Sequence, residues 1–265
     1  MRVASIASGS SGNCIYVGSD RTHLLIDAGS SGKRIEQGIE ELGLKAQELD
    51  GILLTHEHSD HIAGLGVMAR KYSLPIYATQ GTVQALSTIK SIGTVDWGLF
   101  TKIDADSDFM IGDLTVTPVP VSHDAAQPVA YLFHQGEKSA GVITDLGTYE
   151  ESLVSRLREI NLLLMEANHD VHMLEVGRYP YELKQRILGE RGHLSNEACG
   201  HLLGEVLNSR TQDVMLGHLS KENNYEELAY ETVRLEISMG DCPYLGNEVP
   251  IGIAKRDRPS RVMEV

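Results

Sequence analysis

The chain has 265 residues, of which 42% are hydrophobic and 23% are charged, a composition typical of a folded protein with a buried core. Its formal net charge of −14 argues against broad, sequence-independent adhesion to nucleic acid, because binding to phosphates depends on Lys and Arg. No stretch approaches the roughly 20 apolar residues that cross a bilayer, and three cysteines at unrelated spacings fit a reducing compartment, so we expect a cytoplasmic protein without membrane association.

The first part of the chain alternates between short β-prone runs and segments with helical periodicity. The predicted strands are RVASIAS, NCIYVGS, THLLIDAG, GILLT and PIYA. The predicted helices are SGKRIEQGIEELGL, which ends at Gly43, followed by SDHIAGLGVMARKY and TVQALSTIK. Gly, Ser and Asp residues separate the strands, as expected for turns.

The second part repeats this arrangement. It begins with a strand-rich block through DFMIGDLTVTPVPVSH, VAYLFHQ and SAGVITD, and its later predicted strands are NLLLMEA and DVMLG. Its predicted helices are TYEESLVSRLREI, YELKQRIL, NEACGHLLGEVLN after a cap at Ser195, and NYEELAYETVRLEIS. No repeat, low-complexity tract or linker interrupts the pattern, so we expect one domain over residues 1–265, with two sheets packed together and helices outside.

The strongest chemical signal is LLTHEHSDHIAG, at the junction between an apolar strand and a helix. It brings His56, His58, Asp60 and His61 close together. Imidazole nitrogens and carboxylate oxygens are ordinary ligands of Zn²⁺ and related divalent ions. A strand end that opens into a helix can direct such side chains to different points, so the motif predicts a metal site.

Three further ligand-type residues follow apolar strands. His123 closes TVTPVPVSH, Asp145 closes AGVITD and His218 closes DVMLGH. Each one alone is explained by the capping of a turn. Together with the histidine-rich motif, they predict that the ends of several strands present ligands along one edge of a sheet.

In chain order, Asp27, the H-x-H-x-D-H motif, His123, Asp145 and His218 resemble the pattern of the metallo-β-lactamase superfamily, and the resemblance runs through the whole chain. It implies an α/β fold, the four-layer αββα sandwich. It also implies two divalent metal ions, with zinc expected first and Mn²⁺ or Fe²⁺ as the alternatives.

The same resemblance implies a role for each of these residues. One metal would be held by His56, His58 and His123, and the other by Asp60, His61 and His218. Asp145 would bridge them, and Asp27 would orient a ligand, since ligating histidines need an oriented partner. An aspartate at the bridging position resembles the nuclease and phosphodiesterase branches. The β-lactamases themselves use a cysteine, and none of Cys14, Cys199 and Cys242 lies at a matching position.

Several stretches look more specifically like the bacterial YycJ/WalJ group, namely ASGSSGN, EANHD, YPYELKQRIL, RGHLSNE and LGHLSKENN. This resemblance implies a DNA-directed nuclease, a 5′→3′ double-strand exonuclease linked to repair. DNA is therefore the expected partner, with no membrane involved.

The string GHLS occurs twice, around His193 and around His218. His193 follows the basic stretch LKQRILGERG and precedes Ser195, the predicted cap of a helix whose N-terminal N–H groups favour anions. Its placement resembles that of the phosphate-contacting or proton-donating histidine in phosphodiesterases of this fold. We expect His193 to contact the substrate phosphate with Ser195 and Lys221, and we assign catalysis to Asp60 and His193. Hydrogen bonding within its own turn is the alternative.

His169 and His172 follow a buried strand and lie three residues apart, so they could share a helix face. We expect His169 to support the site from behind the ligands or to be structural, and His172 to face solvent or pack.

The expected reaction is hydrolysis of a phosphodiester, with a hydroxide shared by two metals as the nucleophile. The same centre could attack the carbonyl carbon of a lactone or a thioester, and the basic residues near His193 would then have no role. A metal-binding regulator without catalysis is a third alternative, which the complete ligand set disfavours. Basic residues also gather in AKRDRPSR near the C-terminus, where a solvated face and a binding face are equally good interpretations.

Overall fold

The computed structural model describes residues 1–244 and 246–265. In chain order, strands β1 to β14 are Arg2–Ala7, Cys14–Gly18, His23–Ile26, Gly51–Leu53, Ile76–Thr79, Phe100–Ile103, Phe109–Ile111, Leu114–Pro120, Val129–Gln135, Lys138–Ile143, Leu162–Glu166, Asp213–Gly217, Ile251–Ile253 and Met263–Glu264. Helices α1 to α9 are Gly32–Glu41, Ser59–Ile62, Leu65–Tyr72, Gln80–Leu86, Glu151–Leu157, Val171–Val176, Tyr181–Leu188, Asn196–Val206 and Glu226–Met239.

The strands form two sheets of the same design. The first has the order β14-β1-β2-β3-β4-β5-β6, and the second has the order β13-β12-β11-β10-β9-β8-β7. In the first sheet β1, β2 and β3 are antiparallel, and β3 to β6 are parallel. In the second sheet β7 to β10 are antiparallel, and β10 to β13 are parallel. Parallel neighbours end at the same edge, so each sheet has one edge where several strands finish together.

The buried apolar side chains lie in three layers between four layers of secondary structure. The core between the sheets contains side chains from both of them, including Val17, Leu24, Val116, Phe133 and Leu164. The outer face of the first sheet is covered by α1 and α3, through Ile35, Ile39 and Met68. The outer face of the second sheet is covered by α5, α8 and α9, through Val154, Leu202 and Val233. The predicted αββα sandwich is therefore confirmed.

Most of the predicted elements are present, with ends that shift by a few residues. α1 is followed by Gly43 at φ +80°, the left-handed conformation that ends a helix. The Oγ of Ser195 accepts a hydrogen bond of 3.1 Å from the Ala198 N–H, so this residue caps α8 as predicted.

Two parts of the prediction are wrong. SDHIAGLGVMARKY forms two helices, α2 and α3, because the Gly64 N–H donates to the Ala28 carbonyl at 2.7 Å and not to the Asp60 carbonyl, as a continuous helix would require. The strands β6, β13 and β14 were not predicted. All three lie at sheet edges and pair with strands distant in sequence, so local patterns carry little information about them.

The fold collects polar residues at the carboxyl ends of the strands. Asp27 follows β3, and the histidine-rich motif follows β4. The second sheet contributes residues at the end of β11 and within three residues beyond the ends of β8, β10 and β12. No helix in the described ranges is long and apolar enough to span a membrane.

Candidate metal centre

The structure brings the two predicted ligand groups together. His56, His58 and His123 form one group, and Asp60, His61 and His218 form the other. Within each group, one ligand atom per residue lies within 4.8 Å of the others. His56 and His61 link the groups, because their rings are only 4.1 Å apart between centroids.

The separations between ligand atoms fit a metal ion. An ion with four tetrahedral bonds of about 2.0–2.2 Å holds its ligand atoms about 3.3–3.6 Å apart. His58 Nδ1 lies 3.3 Å from His123 Nε2. In the other group, Asp60 Oδ2 lies 3.6 Å from His61 Nε2 and 3.6 Å from His218 Nε2. These atoms are too far apart for good hydrogen bonds and at the spacing expected around an ion.

Asp145 lies between the two groups. Its Oδ2 is 3.3 Å from His61 Nε2, and its Oδ1 is 3.7 Å from His123 Nε2. The two carboxylate oxygens therefore face different groups, which is the position predicted for a bridging ligand. Asp145 lies two residues after Ile143, the last residue of β10, and adopts φ +58°, in the left-handed region that Asp tolerates better than most residues.

Buried hydrogen bonds orient the histidines. Asp27 Oδ2 accepts a bond of 2.7 Å from His61 Nδ1 and a bond of 2.8 Å from Thr55 Oγ1. Since the Thr55 hydroxyl donates to Asp27, it accepts from His56 Nδ1 at 2.9 Å. His123 Nδ1 donates to the Gly192 carbonyl at 3.0 Å. In each case Nδ1 is held by a protein oxygen, so Nε2 is the ring nitrogen that can face a metal, as in other metal sites with oriented histidines. Asp27 thus lies where the resemblance implied.

The unpaired buried atoms test whether a metal fits. His56 Nε2, His218 Nε2 and Asp145 Oδ2 are buried, and within the described part of the chain they have no hydrogen-bond partner. Buried polar atoms are normally paired. These three atoms are the ones that the predicted ligand sets direct at the metals. A divalent cation would satisfy them, so the residues present fit a divalent metal site.

The pKa values follow the same charges. Burial alone would lower the pKa of His61, but the carboxylates of Asp145, Asp27 and Asp60 outweigh it and raise this pKa to about 9. By contrast, burial and then the neighbouring histidines hold the pKa of His56 well below its usual value. The buried carboxylates therefore favour a cation, while His56 stays neutral, as a metal ligand must.

Glu166, at the end of β11, is a functional residue that the sequence reasoning missed. It is completely buried. Its Oε1 accepts hydrogen bonds from His193 Nδ1 at 2.8 Å and from His218 Nδ1 at 2.6 Å. Its Oε2 accepts bonds from the backbone N–H groups of Leu146 and Leu194 at 2.9 Å and 3.1 Å. The histidines of the two GHLS copies are therefore held by the same oxygen atom.

The two histidines nevertheless face different surroundings. The His218 side chain is 2% exposed and points its Nε2 at Asp60, whereas the His193 side chain is 19% exposed. His193 lines a pocket of about 220 Å³ beside the ligand groups. The other described residues on its wall are Ser10, His58, Asp60, Asp124, Asp145, Asn168, Tyr179, Leu183, Arg186, Ile187, Gly192, His218 and Ser220.

Two predicted substrate-contacting residues lie away from this pocket. Ser195 Oγ caps α8, and Lys221 lies in a separate surface cleft with Tyr225 and Arg256. Neither belongs to the described residues that line the pocket. Substrate contact by Ser195 and Lys221 therefore has no support from their positions.

The loop SGSSGN forms a turn beside the site. The Gly12 N–H donates to the Gly9 carbonyl at 2.9 Å. Asn13 Nδ2 then lies 3.1 Å from His61 Nε2 and 3.4 Å from Asp60 Oδ2. Asn13 is a second residue that the sequence reasoning missed, because nothing in a Gly/Ser-rich turn distinguishes its one amide.

Most side chains of the basic stretches have local partners. Lys184 donates to the Glu175 carbonyl, and Arg191 donates to the His123 carbonyl. Near the C-terminus, Arg261 pairs with Asp213. The C-terminal stretch does not reach the pocket, since none of its described residues lines the wall.

We expect Glu166→Gln to lower the free energy of unfolding by about 3–5 kcal/mol, because it removes the charged partner of a buried network. Each oxygen of Glu166 accepts bonds from two N–H groups. A glutamine side chain would place its NH₂ group at one of these two positions in either orientation, so a donor would face two donors. We also expect metal affinity to fall about 10–100-fold, since His218 loses its oriented partner. Urea unfolding and metal titration measure these effects. The exposed Glu205, which accepts one bond from Tyr149, is the matched control as Glu205→Gln, and equal effects of the two variants would contradict the prediction.

His169 is buried, and no described residue forms a hydrogen bond with either ring nitrogen. Burial lowers its pKa from 6.5 to about 4. The unfolded chain therefore binds the proton more readily, so stability is full above pH 6.5 and falls as the pH drops toward 4, by up to about 3 kcal/mol. We expect His169→Leu to remove this part of the pH dependence in urea unfolding at fixed metal concentration. The exposed His172, changed to leucine, should retain it; an unchanged slope in His169→Leu would refute the assignment.

Comparison with known proteins identifies the family of the chain. A family model described as the beta-lactamase superfamily domain matches residues 22–218. Exodeoxyribonuclease WalJ of Streptococcus pneumoniae serotype 2 is 43% identical over 236 residues, which cover 89% of this chain and 88% of that protein. Exodeoxyribonuclease YycJ of Bacillus anthracis is 43% identical over 229 residues, covering 86% of each.

Solved structures share the fold at low identity. Zn²⁺-bound PqqB from Methylobacterium extorquens has a TM-score of 0.71 at 16% identity, covering 100% of each chain. A diphosphatase from the PhnP family has a TM-score of 0.67 at 19% identity, covering 100% of this chain and 98% of that one. With the matched residues, the sandwich and the clustered ligands in agreement, the chain belongs to the metallo-β-lactamase superfamily and, within it, to the family of WalJ and YycJ.

Proposed function

We propose that this protein is a metal-dependent exodeoxyribonuclease that hydrolyses phosphodiester bonds of DNA. The observation that carries the proposal is the position of His193, which is held by a buried carboxylate and faces a pocket whose wall includes candidate ligands of both metal groups. The 43% identity to two exodeoxyribonucleases, over most of each chain, supports DNA as the substrate.

The proposed cofactors are two divalent metal ions, Zn²⁺ first and Mn²⁺ or Fe²⁺ as alternatives. The residues that would hold them are His56, His58 and His123 on one side, Asp60, His61 and His218 on the other, and Asp145 between. When bound, a metal pair supplies Lewis acidity, which lowers the pKa of a water and neutralises charge on the phosphate oxygens.

His193 is positioned to act on the substrate itself. Its Nδ1 donates to Glu166, which leaves Nε2 available on the pocket side. Burial lowers the pKa of His193, but Glu166 and Asp145 outweigh burial and raise it overall. A protonated His193 can then donate a proton to the leaving oxygen or a hydrogen bond to the phosphate. Such a group contributes typically about 10²–10⁴-fold in rate.

The finer parts of the proposal rest on the resemblance to the same family. We propose 5′→3′ digestion of double-stranded DNA, in a repair role. We also propose that residues 1–265 act as one domain, which the core shared by both sheets supports. A cytoplasmic location is supported by the three cysteines, all of them free thiols and two of them buried.

The test offers purified protein, with Zn²⁺ or Mn²⁺, four kinds of substrate. These are duplex DNA labelled at the 5′ end or at the 3′ end, a nitrophenyl phosphodiester, a panel of thioesters and a panel of lactones. We expect duplex DNA to be shortened from the 5′ end. Turnover of a thioester or lactone without turnover of any phosphodiester would overturn the proposal in favour of a carbonyl hydrolase.

A further inference from the structure

Helix α7 forms one wall of the pocket. Leu183, Arg186 and Ile187 lie three and four residues apart, so they share one face of the helix, and all three line the pocket. The end of the helix is tied to the site, because the His193 N–H donates to the Ile187 carbonyl at 3.0 Å. The Arg186 guanidinium is therefore held in the same pocket as His193.

Arg186 is the one Lys or Arg among the described residues that line this pocket. The same wall carries the carboxylates of Asp60, Asp124 and Asp145. A phosphate that enters a site so rich in carboxylates needs cationic donors, and besides the metals Arg186 is the donor that the described wall offers.

In the structure this guanidinium is paired with Asp124. Arg186 Nη2 donates to Asp124 Oδ1 at 3.1 Å, and Arg186 Nε donates to Oδ2, so the pair is bidentate. Asp124 Oδ1 also lies 3.4 Å from His123 Nε2 and 3.9 Å from His58 Nε2. The Asp124 carboxylate therefore lies between the Arg186 guanidinium and the ligand group that contains His58 and His123.

A phosphate group could replace this carboxylate without any change in Arg186. The planar guanidinium binds two oxygens of a carboxylate and two oxygens of a phosphate with the same fork geometry. The Arg186 side chain is 54% exposed and that of Asp124 is 29% exposed, and exposed ion pairs are weak. A dianionic or diester phosphate that also contacts the metals would therefore compete well with Asp124.

We propose that Arg186 binds the phosphate of the DNA substrate and that, in the absence of substrate, Arg186 is paired with Asp124. This inference rests on the proposed nuclease function. Asp124 then acts as an internal competitor, so the two members of one ion pair have opposite effects on DNA binding. If the pair served only to fasten α7, removal of either partner would change DNA binding in the same direction.

The experiment measures the binding of a fluorescent duplex with phosphorothioate linkages, which resist hydrolysis, by anisotropy over a range of salt concentrations. The protein is used with its metals bound. We expect Arg186→Ala to weaken binding about 10-fold or more and to reduce the slope of log K against log salt by about one. Arg186→Lys keeps the charge and loses the fork, so binding should weaken with little change in slope.

Asp124→Asn should tighten binding, and this gain should vanish in the Asp124→Asn, Arg186→Ala double variant. Two matched controls test for general charge effects. Arg178→Ala removes a cation from the same exposed segment, and Glu182→Gln removes an anion from α7, and neither residue lines the pocket. We expect both controls to change affinity much less than their counterparts.

The inference is overturned if Arg186→Ala behaves like Arg178→Ala, if Asp124→Asn weakens binding, or if the two effects simply add in the double variant. Hydrolysis of an unmodified duplex by the wild-type protein tests the proposed function separately. A wild type that degrades DNA but gives one of these results overturns only the role of Arg186. A wild type that neither binds nor degrades DNA overturns both.

Discussion

His193→Ala is expected to lower kcat on duplex DNA by about 10²–10⁴-fold and to leave the metal content of the protein unchanged. The physical reason is that His193 offers its Nε2 to the pocket, while its Nδ1 donates to Glu166 at 2.8 Å. That separation is a hydrogen-bond distance and is shorter than the spacing of about 3.3 Å between two ligands of one tetrahedral ion. His193 Nδ1 and Glu166 are therefore expected to be hydrogen-bonded and not to share an ion, and His193 is expected to contact the substrate from the pocket wall.

Steady-state kinetics on labelled duplex DNA and elemental analysis of metal per chain measure the two parts of this result. His201→Ala is the matched control, because His201 is a 61% exposed histidine of α8 that pairs with Glu236. We expect it to change neither kcat nor metal content. Loss of metal from His193→Ala would show that His193 is a metal ligand. It would refute the assignment of metal binding to His218 and substrate contact to His193.

Local patterns in the sequence singled out several of the candidate ligands, and the family resemblance supplied their assignment to two metals. His123, Asp145 and His218 each follow a run of apolar residues that forms a buried strand. A polar residue there lies at the end of the strand by necessity, and parallel strands bring their ends to one edge. The sandwich was predictable for the same reason, since strand and helix periodicities are local properties.

Glu166 could not be found in this way because it sits inside the apolar run NLLLMEA, where it reads as one polar residue of a strand. Its function depends on partners that are distant in sequence, His193 and His218, and on two backbone N–H groups. Burial of a carboxylate is costly unless it is fully paired. A lone acidic residue within a predicted buried strand therefore indicates that its carboxylate has several hydrogen-bond partners. The sequence contained this indication at Glu166.

The pairing of Arg186 with Asp124 could not be predicted from the sequence for a different reason. The basic stretch before His193 was visible as charge, but charge density does not tell which side chain faces the site. Three-dimensional contacts separate Lys184 and Arg191, which donate to backbone carbonyls, from Arg186, which lines the pocket. The assignment therefore required the fold of α7.

Three residues of the site have unusual backbone conformations. Asp27 and His218 directly follow β3 and β12, Asp145 lies two residues beyond β10, and the three adopt φ of 61°, 56° and 58° in that order. Left-handed backbone is unfavourable for most residues, and Asp and Asn tolerate it best after glycine. It turns the chain sharply at the strand end and so directs each side chain back toward the cluster. Replacement of these residues by alanine would therefore disturb the backbone as well as the ligand, and asparagine is the better probe.

Asp145→Asn is expected to weaken metal binding at both sites and to abolish DNA hydrolysis. Loss of a residue that only orients a ligand lowers metal affinity by up to roughly 100-fold, and we expect a larger loss at each site here. Its Oδ2 faces His61 and its Oδ1 faces His123, so loss of the charge reaches both groups. Asparagine keeps the shape and tolerates the left-handed backbone, so the fold should be retained.

His218→Asn is the matched comparison, because it also keeps a residue suited to φ +56°, and His218 belongs to one of the two predicted metal-ligand groups, that of Asp60 and His61. Metal titration followed by calorimetry should show one weakened site in His218→Asn and two in Asp145→Asn, with near-ultraviolet circular dichroism unchanged in both. The group of His56, His58 and His123 does not include His218, so its metal affinity should survive that change. One weakened site in Asp145→Asn would contradict a bridging carboxylate and would assign Asp145 to a single metal.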